Sequence, residues 1–126
     1  MHKGTIYIAG PMRGKPNWNY ESFHKAEETL KASGWNAVNP ATLDDNYQDT
    51  KDLGSPEDFD PGSIKKHKDA NRKIMRRDVT AICDRCDAIF MLKDWERSLG
   101  ACAEFYLASS IGLDIYYEGS HDVYHC

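Results

Sequence analysis

The sequence contains no apolar run near the roughly 18 residues that a membrane-spanning helix needs, and its beginning shows no hydrophobic signal-peptide core. These absences argue against membrane insertion and lead us to expect a cytoplasmic chain. Excess positive charge is missing too: 16 Lys and Arg stand against 20 Asp and Glu, a formal net charge of −4. Duplex nucleic acid is held by clustered basic surface, so stable duplex binding is not expected. Cysteine is sparse, with Cys83, Cys86, Cys102 and Cys126 the only four. Cys83 and Cys86 have the spacing of half a zinc site, but no second Cys or His pair stands at a matching interval; His121 and His125 are a weak partner pair. We expect reduced thiols and no metal.

What is present is ordinary for a globular protein: 126 residues, 40% hydrophobic and 29% charged, enough for one domain with one core. Thr5-Ile6-Tyr7-Ile8-Ala9 is a short β-rich apolar run closed by Gly10-Pro11, which reads as a buried strand. A loop over 10–19 leads to a helix over 20–33, capped by Asn19 and ended by Gly34, with Phe23, Ala26, Leu30 and Ser33 on its inner face. A second strand over 35–39 is stopped by Pro40. Residues 41–70 read as a loop insertion, acidic first and basic later, either a binding loop or a solvated excursion. A helix over 71–85 then places Ile74, Met75, Val79 and Ile82 inward. The strand over 87–92 is the most apolar and should be central. A helix over 98–111 and a strand over 114–117 complete the chain.

Strands alternating with helices predict an α/β fold, a single-domain Rossmann- or flavodoxin-like parallel sheet with helices on both faces. Ligands in such sheets bind beyond the carboxyl ends of the strands, where the strand order switches. The segments due there are 10–14, 93–100 and the first turns of the last helix.

One more absence stands out. Between Arg97 and Asp114 no side chain is charged except Glu104, set among Gly, Ala, Cys, Phe and Leu. A carboxylate in such surroundings is paired or used, because burying its charge costs several kcal/mol or shifts its pKa; the alternative puts it on the wet stripe of an amphipathic helix. Gly10-Pro11-Met12-Arg13-Gly14 follows the first strand directly; its glycines allow sharp turns and close backbone approach, and Arg13 offers a fork that matches a phosphate or carboxylate. Ser98 is placed as a helix N-cap, and the same hydroxyl, free amides and helix dipole also suit an anion. Asp78 interrupts the preceding helix and either reaches the same crevice or pairs with Arg76 or Arg77 on the surface. Trp18 and Trp95 either stack on a ligand or pack. Asp87 belongs at the opposite end of the sheet.

Taken in order, Ile6-Tyr7-Ile8-Ala9-Gly10-Pro11-Met12-Arg13-Gly14, Val38-Asn39-Pro40, Arg77-Asp78-Val79 with Cys86-Asp87-Ala88, and Trp95-Glu96-Arg97-Ser98-Leu99-Gly100-Ala101-Cys102-Ala103-Glu104 resemble the nucleoside 2-deoxyribosyltransferase-like superfamily. The closer likeness is to its small uncharacterised branch in phages and bacteria. The resemblance implies that Glu104 is a catalytic nucleophile, Asp78 an acid/base carboxylate and Tyr7 a tyrosine beside the nucleophile. It also implies that Gly10, Met12, Arg13, Gly14, Ser98 and Gly100 bind substrate. Ser98-Leu99-Gly100 with Arg13 is similar to members that hydrolyse nucleoside 5′-monophosphates; nucleoside transferases carry Asp where Ser98 stands and use a C-terminal Asn that 119–126 does not match.

The expected activity is therefore N-glycosidic cleavage of a small-molecule (deoxy)nucleoside 5′-monophosphate, without a cofactor or metal. Relatives generally assemble, which implies a homo-oligomer, a dimer or larger. A non-catalytic nucleotide-binding module and deoxyribosyl transfer between bases are the alternatives.

Overall fold

A computed structural model of the protein describes residues 3–47, 61–119 and 123–124. Strand β1 (Gly4–Ala9) leads through a short turn (Pro16–Asn19) to helix α1 (Tyr20–Ala32) and strand β2 (Trp35–Val38). Helices α2 (Pro40–Tyr47), α3 (Pro61–Lys66) and α4 (Lys68–Arg85) come before β3 (Ala88–Met91), which is followed by α5 (Leu99–Ser110), β4 (Asp114–Tyr117) and β5 (Val123–Tyr124). The sheet order is β2-β1-β3-β4-β5. β1 pairs in parallel with β2 and β3, and β3 with β4; β5 runs antiparallel at the edge. The expected α/β parallel sheet is present, with β5 as an unforeseen addition.

Side chains on a strand alternate between faces, and β1 uses both for core. Ile6 and Ile8 pack with Phe23, Ala26 and Leu30 of α1. Tyr7 and Ala9 face the other way, into a cluster with Ala81 and Ile82 of α4 and Ala101 and Ala108 of α5. One layer of helix thus covers each face. From β1 the chain moves outward to β2, then returns to β3 on the other side of β1, so the switch in direction lies between β1 and β3.

Three expectations are corrected. The 41–70 insertion is not a plain loop: α2 occupies its start and α3 its end, and α4 begins at Lys68, three residues before the expected Asn71; residues 48–60 lie outside the described part. Both extra helices begin with proline, whose missing N–H and fixed φ suit the first helical position. For α2 the cap is Asn39, whose Oδ1 accepts from the Ala41 N–H at 2.9 Å. Asn19 does not cap α1: its Nδ2 donates 2.8 Å to the Pro11 carbonyl and fastens the preceding loop. Finally, two inward positions differ: Asp78 is buried on α4 while Val79, expected inward, is only half-buried, and Ser33, expected on the inner face of the first helix, is exposed just past the end of α1.

Among the described residues, no helix is long and apolar enough to cross a membrane.

Candidate active site

β1 carries Tyr7 to the carboxyl end of the sheet on the α4–α5 side, where it is completely buried. The chain leaves the strand at Gly10, where a Cβ would stand 2.7 Å from the Leu92 side chain; glycine is required for the two strand exits to lie this close. α5 opens at Ser98, whose Oγ accepts from the Ala101 N–H at 3.1 Å, the N-cap expected of it. From that fixed start, Ala101, Glu104 and Ala108 fall three and four residues apart on one stripe, all buried against the sheet. The two alanines let the helix approach closely, and Glu104 between them is 6% exposed. Its placement on a wet stripe is thereby excluded.

Tyr7 Oη donates to Glu104 Oε2 at 2.7 Å. Asp78 enters from α4 close enough to exchange a hydrogen bond with Glu104. The Nε of Arg77 donates to Asp78 Oδ1 at 2.8 Å, and Arg77 Nη2 lies 2.8 Å from the same oxygen. Burial first, then the neighbouring Asp78 charge, pushes the Glu104 carboxyl well above the ordinary carboxylate range. Burial, and next the Glu104 charge, likewise raises the Tyr7 phenol, which therefore serves as a neutral donor.

These groups form the floor of a pocket of about 360 Å³, a size that suits a small ligand. Its rim holds Gly10, Met12 and Arg13 from the loop after β1, with Arg97, Ser98 and Gly100 from the start of α5. Arg13 is fixed from two sides: its Nη2 donates to Asn71 Oδ1 at 2.9 Å, and its Cζ lies 5.6 Å from the centre of the Trp18 ring. Asn17, Trp18 and Asn19 all have left-handed backbone, with φ of 51°, 56° and 63°. That is a strained conformation for a bulky residue such as Trp, costing of order 1–2 kcal/mol. Its result is an indole under the guanidinium.

The structure brings together Tyr7, Gly10, Met12, Arg13, Asp78, Ser98, Gly100 and Glu104 of the sequence-based candidates. Gly14 does not line the pocket. Trp95 is outside as well: it stacks on Phe105 with ring centres 4.6 Å apart and packs near Tyr117. Asp87 sits at the far end of the sheet, where its Oδ2 accepts from the Thr5 N–H at 2.9 Å. Arg97 falls within the 93–100 segment expected at this end of the sheet, whereas sequence reasoning misses Asn71 and Ile64. Asn71 also donates through Nδ2 to the Ile64 carbonyl at 3.0 Å, which ties α3 to the pocket wall. The one signal for it is that Asn71 precedes Ile74 and Asp78 by three and seven residues, on the same helical stripe.

Cys83 is an exposed free thiol and Cys86 a buried one, its pKa raised to about 11 mainly by burial. His121 and His125 lie outside the described residues. Among the described residues, no group of three or more His, Cys, Asp or Glu could hold a metal ion.

The family model called Domain of unknown function (DUF4406) matches residues 4–55 and 59–117, and the chain belongs to that family. The matched stretches contain every residue that lines the pocket. No curated protein matches the chain, and no solved structure does.

Proposed function

We propose that the protein cleaves the N-glycosidic bond of a nucleoside or deoxynucleoside 5′-monophosphate, with Glu104 as nucleophile. The observation that carries this reading is the buried carboxylate pair at the floor of a pocket whose rim presents arginine and a helix N-terminus. Glu104 follows Ser98 by six residues, about 9 Å along the helix axis. That is comparable to the span from a 5′-phosphate to C1′ of the sugar.

In this reading Arg13, Ser98 and the free amides of the first turn of α5 hold the phosphate. Binding energy remote from C1′ then orients the sugar. A Glu104 oxygen forms a bond to C1′ while the C1′–N bond breaks and its electron pair leaves with the base, which takes a proton from Asp78. Water then attacks C1′ of the glycosyl ester, Asp78 accepts its proton, and the sugar 5-phosphate departs with Glu104 restored. This is the retaining two-carboxylate scheme of glycoside hydrolysis. Tyr7 supports the carboxylate through its 2.7 Å hydrogen bond.

The test is incubation of wild type and Glu104→Gln with a panel of nucleoside and deoxynucleoside 5′-monophosphates, reading free base by chromatography. Base released by wild type alone supports the reading and identifies the substrate. No base from any of them, with or without an acceptor base, overturns it; tight binding without turnover would then assign a nucleotide-binding module.

A further inference from the structure

The two carboxyls at the pocket floor are treated differently by their neighbours. The titratable and charged groups that bear on Glu104 are Asp78 and Arg77 from α4 and Tyr7 from β1, with Arg13 and Arg97 at the rim of the same pocket. Two carboxyls that are each 6% exposed and bear directly on one another resist double ionisation, so the pair retains one proton. Arg77 discriminates between them. Its side chain is 14% exposed, it is charged at every ordinary pH, and its Nε and Nη2 both lie 2.8 Å from Asp78 Oδ1. Glu104 instead accepts a neutral phenol O–H.

We propose that Arg77 fixes the shared proton on Glu104 in the empty site, so that Asp78 is the ionised partner until substrate binds. The proposal rests on the reading above only for its catalytic meaning. The reaction needs the reverse arrangement, an ionised Glu104 to attack and a protonated Asp78 to release the base. The site therefore reaches its reactive form by one transfer along the Asp78–Glu104 hydrogen bond: the proton leaves Glu104 for Asp78, and the charge of the pair does not change. Positive charge developing at C1′ favours this transfer, because it lies against the Glu104 carboxylate, which the Tyr7 O–H steadies. Arg77 is a positioning residue, acting on the sugar only through Asp78. It keeps the nucleophile masked while the pocket is empty.

The experiment uses the full chain, free of ligand at neutral pH, and infrared spectroscopy of the neutral carboxylic acid C=O stretch, which lies above the carboxylate and amide bands. Carbon-13 is introduced at glutamate side chains in one sample and at aspartate side chains in another. The expected result is a neutral-acid band that moves with the glutamate label, ignores the aspartate label and is lost in Glu104→Gln. A band that moves with the aspartate label, or the absence of any such band, overturns the proposal. Arg77→Lys should keep the band on glutamate and Arg77→Gln should transfer part of it to aspartate; a band unchanged in Arg77→Gln removes Arg77 from the account. Should Arg77→Gln not fold, the labelled wild type decides the location of the proton by itself. None of these measurements involves turnover, so a failed activity screen and a misplaced proton are separate results.

Discussion

The two faces of strand β1 make different use of the same pleat. On the α1 face, Ile6 and Ile8 meet Phe23, Ala26 and Leu30, and the contacts are apolar throughout. On the opposite face, Tyr7 stands among alanines and isoleucines but ends in a hydroxyl that meets Glu104. Both faces bury core side chains; only the second carries carboxyls that are themselves buried, Asp78 and Glu104. The first gains stability from burial, since apolar area removed from water contributes roughly 25 cal/mol per Å². The second gives some of that up to hold a carboxyl in an environment that disfavours its charge. A protein rarely carries such a group in its core unless the group is used.

Glu104→Gln is the substitution with the largest expected effect. On the proposed reading, in which Glu104 forms the covalent intermediate, turnover should fall by roughly 10³-fold or more, while the fold is kept by an isosteric side chain. Stability should change in the direction opposite to activity. The folded protein holds the Glu104 proton above the pH at which the unfolded chain releases it, so native protein binds more protons there and loses stability as pH rises through that window. Glu104→Gln lacks this loss. The difference between wild-type and variant urea midpoints should therefore grow in favour of the variant from acid to neutral pH; parallel pH dependences would mean that Glu104 ionises normally.

Leu30→Ala tests the other face, at a position away from the pocket lining. Leu30 is 6% exposed, and its truncation should cost about 2–5 kcal/mol in urea unfolding. Where the variant stays folded, the KM for substrate should change much less than in a pocket-rim variant. A comparable loss of binding would show that the two faces are coupled.

Part of this contrast is legible in the amino-acid sequence. Glu104 stands out because nothing else between Arg97 and Asp114 is charged, and the Ser98 cap fixes the phase of its helix. Asp78 is harder to place, although it lies four residues after Ile74 and four before Ile82, the spacing of an inward stripe. Placing Val79 inward rotates that stripe by one residue. Hydrophobicity alone favours such a choice, because it scores a buried carboxylate as an error. α3 is hidden for another reason: Pro61-Gly62-Ser63 reads as a turn, and only proline's fitness for the first helical position reveals a helix start. Trp18 cannot be separated from Trp95 by sequence, since both are indoles beside loops. The left-handed turn that puts Trp18 under Arg13 depends on packing rather than on local sequence preference.

Arg13→Ala should act on one kind of ligand. With its fork held by Asn71 and Trp18, Arg13 is oriented before any anion arrives. A charged hydrogen bond contributes about 1.5–3 kcal/mol, so the KM for a monophosphate should rise roughly 10- to 100-fold, and that of the matching nucleoside should hardly move. Ser98→Asp approaches the same point from the other side. Asp caps a helix as well as Ser does, so stability should be kept, yet its charge repels a phosphate. Equal effects of either substitution on nucleotide and nucleoside would mean that no phosphate sits at this rim.

Gly14→Ala is the mildest of these changes, and it asks where the rim ends. Its place in the loop after β1 makes Gly14 a candidate for ligand contact, but it is exposed and lies outside the pocket lining. Its φ of 81° is the feature that requires glycine. An alanine there should cost about 1–2 kcal/mol through left-handed strain alone, visible as a lower urea midpoint. The KM for monophosphate and nucleoside should stay in the wild-type ratio. If the strain spread along the loop to Arg13, that ratio would rise as in Arg13→Ala, and the turn at Gly14 would then count among the supports of the arginine.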